Sequence, residues 1–396
     1  MTDLRDFIHG PWRAVPVLGL TQILSWGTIF YTPVLMVPLI AAERHWSISF
    51  TMGGFSVGLL VAGLGSPFVG RSIDRFGGHV VMTIGSLIGG LGLFLIGYAA
   101  HPIAYYAVWM VLGVAMAANL YDSAFATLGR IFGIGARRPI TALTLAGGFA
   151  STVSWPATHF LIDRVSWQGT YLIYAALLVC IAAPLHAAAL PRSRYEADVP
   201  VQSESAPPVK VLPPYGLPFI LVAAAFASYA FVPSGLSAHL LTIFGRTGID
   251  PGTVVWIGAL FGPAQVGARL IEFSFGRNLH PLWVARFALT SLLCAFIMLA
   301  FLGVSTGTAA AFALMFGGAN GLVTITRGAV PLALFGASSY GRLIGRLAAP
   351  FLLVQSAAPL VMAFVIEHTS DPAALALAAG FATVALICFI AIRRPN

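Results

Sequence analysis

Two charged residues stand inside stretches that are otherwise apolar: Asp122, in Tyr121-Asp122-Ser123, and Arg327, in Thr324-Ile325-Thr326-Arg327. A charge in such surroundings is costly, so it implies a proton to carry, an ion to bind or an opposite charge to meet. Helical spacing lines Asn119, Asp122, Ser123, Ala126, Thr127 and Arg130 along one face, and Gly317, Asn320, Thr324 and Arg327 along another. The two charges sit at similar depths. The expectation is that Asp122 and Arg327 pair, and that a proton or a substrate competes with the pair. Protonating Asp122 would release Arg327 for an anion. The plainer account is a permanent ion pair, which would itself be needed because an unpaired buried charge destabilises strongly.

Arg269 and Glu272 lie one helical turn apart and form a second candidate. They can bind a carboxylate, or they can be a structural end matching Arg71 and Asp74. Gln22, Ser25, Trp26 and Tyr31 in one apolar stretch, and Ser228, Tyr229 and His239 in another, are uncharged candidates for lining a cavity. Gln265, Gln355 and His159 are further polar intrusions. A lone Gln or Ser in a bundle more often serves as interhelical glue. Cys180, Cys294 and Cys388 fall in separate apolar stretches without metal-ligand or redox spacing, and read as small buried hydrophobes. No two His share a helical turn, and there is no Asp-rich diphosphate site and no Ser/His/Asp set. The sequence therefore points away from an enzyme, a metal site or a cofactor. Rings of like charge or a repeated filter loop, expected of a channel, are also missing. A receptor that had lost transport would read the same way.

The elements that hold these residues are dictated by composition. Of 396 residues, 58% are hydrophobic and 9% charged, against about 25% charged in a soluble domain. So few charges cannot clothe a water-facing surface, and the surrounding medium must be lipid. A helix needs roughly 20 apolar residues to cross. Twelve stretches qualify: 14–41, 49–70, 79–99, 103–130, 139–163, 169–190, 217–244, 252–275, 282–303, 308–335, 346–366 and 372–392. With the N-terminus inside, only Arg44, Arg164 and Arg246 of the 21 Lys and Arg residues fall on the outer side. That is a strong positive-inside bias, and it explains the net charge of +8 without nucleic acid. The Pro- and Ser-rich segment 191–216 reads as a cytoplasmic linker. It separates an N-terminal half, 1–190, from a C-terminal half, 217–396. The first twelve residues carry Asp3, Arg5 and Asp6 and no small-residue cleavage site, so no removed leader is expected.

The halves repeat one another. Ala118-Asn119 in span 4 matches Ala319-Asn320 in span 10, and Ser25-Trp26 in span 1 matches Ser228-Tyr229 in span 7. Pro156 to Asp163 matches Pro359 to Glu367, and Pro67 to Asp74 matches Pro263 to Glu272. Two related six-helix halves imply a site near the midplane between them. Between spans 2 and 3 the chain reads Gly70-Arg71-Ser72-Ile73-Asp74-Arg75-Phe76-Gly77-Gly78. Two glycines permit a tight turn with positive φ. This resembles the signature loop of the major facilitator superfamily.

The resemblance covers the chain and implies an all-α membrane protein: twelve transmembrane helices in two pseudo-symmetric halves, working by alternating access. It also implies that spans 1, 4, 7 and 10 line the central cavity. Trp26-Gly-Thr-Ile-Phe-Tyr31 and Ala150-Ser-Thr-Val-Ser-Trp155-Pro156 look like the bacterial monocarboxylate-transporter-like permeases, whose span-8 arginine binds the substrate carboxylate; the resemblance would make Arg269 its counterpart, beside the structural reading given above. Tyr121 to Thr127, with Ile140-Thr141, also resembles the arsenite efflux permeases. Ser166-Trp167-Gln168 departs from the usual Gly-Trp-Arg, and Ser154-Trp155-Pro156 breaks the pattern of drug–proton antiporters. The resulting expectation is a monomeric, proton-coupled carrier in a bacterial inner membrane with both termini cytoplasmic. Its partners would be lipid, a small organic anion, and protons or a counter-solute. Efflux of arsenite or another small toxic compound is the alternative.

Overall fold

The computed structural model describes residues 10–192, 212–276 and 279–393. Most of the linker read at 191–216 lies outside the described residues, as do Arg5, Arg194, Lys210, Arg277 and Arg394. Among those described, the regular structure is helical throughout. Ten stretches are long and apolar enough to cross a membrane. One of them, Pro102–Ala189, is 88 residues long, several times what a crossing takes, which is about 20 residues. It is broken by Gly133 (φ 56°) and Ser166 (φ 66°), and the three pieces bring the count to twelve crossings.

The helix starts follow from short polar caps followed by proline. The Asp250 carboxylate accepts from Thr253 N at 3.0 Å ahead of Pro251, and His280 Nδ1 accepts from Leu282 N at 3.2 Å ahead of Pro281. His101 does the same for Ile103, ahead of Pro102. Each cap takes a backbone N–H that the first turn leaves without a partner, and proline at the first position sacrifices nothing.

By packing, the described chain falls into two compact units, Met1–Val211 with Gly336–Ala349, and Leu212–Phe335 with Pro350–Asn396. The first holds spans 1 to 6 and the beginning of span 11. The second holds spans 7 to 10, the rest of span 11 and span 12. The second also takes in the short contact of Leu212 N with Leu334 O, 2.8 Å. Large side chains stand bare on the outside of both, among them Phe68, Ile84, Phe287 and Phe301. Contiguous apolar surface of that extent is stable only against lipid.

Two expectations need correction. Cys180 and Cys294 are exposed and Cys388 is half-buried; they sit on the apolar outer surface, where a thiol is tolerated as well as in a core. Gly77 alone has positive φ, 89°, whereas Gly78 opens the span-3 helix and is small because the Thr127 side chain of span 4 fills the place of its Cβ.

Spans 2 and 4 pack so closely that a Cβ on Gly54 would overlap the rings of Tyr105 and Trp109. Gly54→Ala is expected to cost about 1–3 kcal/mol by overpacking. Gly262→Ala, where nothing lies within 4 Å of the new Cβ, should leave the thermal midpoint in detergent close to that of the parent chain.

Candidate functional site

In the first unit, the polar residues gather around two places where helices lose their regular hydrogen bonding. Span 1 widens into a π-helical turn at Trp26–Tyr31. The freed Gly27 carbonyl accepts the Thr32 hydroxyl at 2.6 Å. Span 4 breaks at Leu120, whose backbone is extended (φ −81°, ψ −173°). One helix therefore ends at Asn119 and another starts at Tyr121. In lipid the carbonyls released by such a break must find donors within the protein. Ser123 Oγ donates to Ala117 O at 2.6 Å, and Gln22 Nε2 donates to Asn119 O at 2.5 Å. Trp26 Nε1 in turn donates to Gln22 Oε1 at 3.0 Å. Gln22, Trp26 and Asn119 are thus joined in one chain of hydrogen bonds, with Gln22 and Asn119 fully buried.

Around Trp26 the rings of Phe30, Tyr31 and Tyr121 lie with centroids 4.6, 5.8 and 5.0 Å away, and Trp155 meets Tyr31 at 6.2 Å. The π turn therefore presents an aromatic cluster beside the polar chain.

The break revises the stripe expected on span 4. Asn119 and Asp122 belong to different helices, so their spacing is no longer that of a continuous face. Thr127 Oγ1 returns to Ser123 O at 2.8 Å, and both residues are buried. Asp122 falls in the first turn of the second helix, where the helix dipole favours a negative charge. It is half-buried and close enough to Tyr340 to act on it electrostatically.

The signature loop is a capping device. The two Asp74 oxygens accept from Gly341 N at 2.9 Å and Arg342 N at 2.7 Å, at the start of the span-11 helix. Arg130 donates to Ile73 O at 3.1 Å and to Asp74 O, closing the carbonyl end of span 2. A Cβ on Gly70 would run into the Gly341 backbone, so glycine there permits the approach that brings Asp74 within reach. Arg75 is exposed and lies over the Phe76 ring, 5.0 Å from its centroid.

In the second unit, Tyr229 Oη donates to Asn320 Oδ1 at 2.7 Å. Tyr229 is buried, and both Arg269 and Arg327 lie near enough to act electrostatically on its hydroxyl. Arg269 is 2% exposed and donates to Gly321 O at 3.4 Å; Glu272, one turn on, is also buried. The comparison with Arg71 fails here: Arg71 is exposed and folds back on Pro67 O and the Phe68 ring. Arg327 stacks on Phe351, 3.6 Å from the guanidinium carbon to the ring centroid.

The polar partnership of spans 1 and 4 in one unit thus recurs between spans 7 and 10 in the other, using the residues that the repeat aligns. His159 pairs with Asp163 at 3.1 Å on an exposed surface, and His239 lies 3.3 Å from Pro359 O.

Sequence reasoning missed Phe351, Thr21, Ser86 and His186. His186 was detectable, being an ionisable side chain within an apolar span. Phe351 carried no signal, because an aromatic in such a span is usually packing.

Residues 18–341 match the family model of the Major Facilitator Superfamily. The chain belongs to that superfamily. Its membership places it among transporters rather than enzymes. It is 29% identical over 380 residues to rat monocarboxylate transporter 3, covering 89% of this chain and 73% of that one. It is 28% identical over 136 residues to human monocarboxylate transporter 2, covering 33% of this chain and only 28% of the human protein. The fold superposes on that of the human organic anion transporter MFSD10 (TETRAN) with a TM-score of 0.72 at 15% identity, covering 96% of this chain and 99% of that one. The proton:xylose symporter XylE gives 0.68 at 11% identity, covering 95% of each. These superpositions establish the superfamily fold.

Within that fold, Asp74→Ala should lower stability by about 1–2 kcal/mol, as expected for loss of a helix cap. Arg75→Ala should change it little. Thermal unfolding of the two variants in detergent checks both.

Proposed function

We propose that this protein carries a small organic monoanion across a bacterial plasma membrane by alternating access, coupled to protons. The observation that carries the reading is that Arg269 and Arg327 both lie within electrostatic reach of the buried Tyr229 hydroxyl in one unit. Two guanidinium groups within electrostatic reach of one buried hydroxyl suit an anionic substrate such as a carboxylate. Tyr229 and Asn320 would supply directional hydrogen bonds, and Phe351 would hold Arg327 in position by cation–π attraction. The monocarboxylate transporters among its relatives and the counterpart arginine in span 8 favour the same substrate class. A neutral solute such as arsenite would have no use for two guanidinium groups.

Asp122 is the group to which we assign coupling. A carboxylate at a helix start inside the membrane gains or loses a proton without leaving its helix, and its charge would set the competition for Arg327. The distribution of arginines supports a multi-pass chain with both termini cytoplasmic, and cysteine-accessibility labelling at position 210 tests that orientation.

In proteoliposomes, Arg269→Gln and Arg327→Gln should each raise KM for a transported monocarboxylate by roughly 10- to 100-fold, the loss expected for a charge-assisted hydrogen bond. Asp122→Asn should abolish proton-driven accumulation while sparing counterflow exchange. Transport of arsenite, or of dicarboxylates in preference to monocarboxylates, would reject the proposed substrate class. Unchanged KM in both arginine variants would reject the assigned residues.

A further inference from the structure

His186 lies in a span that the transport reading leaves unused, yet its side chain is completely buried. Its ring joins spans 1, 3 and 6. Nδ1 is 3.2 Å from Met82 O and 3.1 Å from Ser86 Oγ, and Nε2 is 2.9 Å from Thr21 Oγ1. Ser86 Oγ donates onward to Asn119 Oδ1 at 3.3 Å. The network therefore runs from Thr21 through His186 and Ser86 to the Asn119 side chain, while Gln22, which carries the Trp26 indole, bonds the backbone carbonyl of the same residue. Thr21, Gln22, Ser86 and Asn119 are all fully buried.

The polarity of this chain is set by one partner that has no choice. Met82 O is a carbonyl and can only accept, so Nδ1 must carry a hydrogen; a bare Nδ1 would set two lone pairs against each other. Nε2 is then the acceptor and takes the Thr21 hydroxyl. That contact, at 2.9 Å, is closer than the alternative at Leu18 O, 3.3 Å. With Nδ1–H directed toward Met82 O and Ser86 Oγ, the serine hydroxyl is turned toward Asn119 Oδ1. The Asn119 amide is thereby oriented with Nδ2 against Gly85, where a Cβ would come within 2.8 Å of it. The elements packed against residues 185–189 are the span-1 helix at Ala14–Ser25, the span-3 helix and the preceding π turn at Leu178–Ala182. Their titratable groups are His79, one turn before Met82 at the start of the span-3 helix, and Cys180. They bring no carboxylate to stabilise an imidazolium.

We propose that His186 is a positioning residue. As a neutral, Nδ1-protonated ring, it fixes the orientation of the Asn119 side chain, at the span-4 break whose backbone carbonyl holds Gln22 and so Trp26, among the candidates for lining the cavity. The inference deepens the transport reading and rests on it for its kinetic consequence. Its structural half stands separately.

Two measurements decide it. The first is the nitrogen-15 spectrum of histidine-labelled full-length protein in nanodiscs at neutral pH, with the His186 signal assigned by its loss in His186→Asn. The expected pattern is a protonated Nδ1 and a bare Nε2. An Nε2–H tautomer or an imidazolium would overturn the proposal. The second is a comparison of two amides in proteoliposomes. Asn places its NH2 near the position of Nδ1, and Gln places it near that of Nε2. His186→Asn should hold KM close to the parent value, whereas His186→Gln should raise it about tenfold with little change in kcat, as for one misdirected buried hydrogen bond. Equal effects of the two substitutions would reduce His186 to packing and refute the positioning role. If the parent protein moves no monocarboxylate at all, the transport reading fails, and the tautomer still decides the polarity of the chain.

Discussion

A peptide carbonyl inside a bilayer has no water to turn to, and this one constraint governs the N-terminal unit. A regular helix meets it automatically. The breaks at Trp26–Tyr31 and Leu120 do not, so side chains must supply what the backbone gave up. Thr32, Gln22 and Ser123 do so at 2.5–2.6 Å. In return, the breaks place Trp26 at the start of the π turn and Asp122 at a helix start. The polar residues of this region are therefore neither scattered glue nor an isolated binding set. They are what makes an irregular backbone tolerable in lipid, and the irregular backbone is what gathers them.

The C-terminal unit arrives at a comparable cluster by another route. Span 10 is one unbroken helix, Thr306–Phe335, so it frees no carbonyl through a break. Its polar character comes from charge: Arg269 and Arg327 near Tyr229, with Phe351 beneath one guanidinium. A planar, weakly hydrated guanidinium that stacks on an aromatic face loses less on leaving water than an ammonium would. That fits the chain's near-exclusive use of arginine, with Lys210 its single lysine. The internal repeat thus preserved positions, Trp26 with Tyr229 and Asn119 with Asn320, while the two copies diverged in how those positions are held.

This divergence explains what could be read in advance. The twelve crossings followed from length and hydropathy, because lipid imposes a minimum span that sequence displays directly. The correspondence of span 1 with span 7 and of span 4 with span 10 was visible as repeated dipeptides. The break at Leu120 was not, since nothing in Asn119-Leu120-Tyr121 is a proline or glycine; it depends on Gln22, almost a hundred residues away in sequence, offering a donor to Asn119 O. The exposure of Cys180 and Cys294 was missed for a related reason. In a membrane protein apolar residues face both the lipid and the core, so hydrophobicity loses its power to tell inside from outside.

The signature loop shows the same economy in a turn. Asp74 is engaged twice: its carboxylate receives the N–H groups that open span 11, and its own carbonyl, with that of Ile73, receives Arg130 from span 4. A negative side chain thus meets the positive end of one helix while a positive side chain meets the negative end of another, each in the sense that helix dipoles favour. The glycines around Asp74 serve this exchange. Gly70 lets the Gly341 backbone approach, Gly77 takes the left-handed turn, and Gly78 yields to Thr127. The spacing of the motif is therefore a record of two close approaches and one left-handed turn beside one carboxylate, and a substitution at Gly70 would act on span 11 through Asp74 even though it changes no charge.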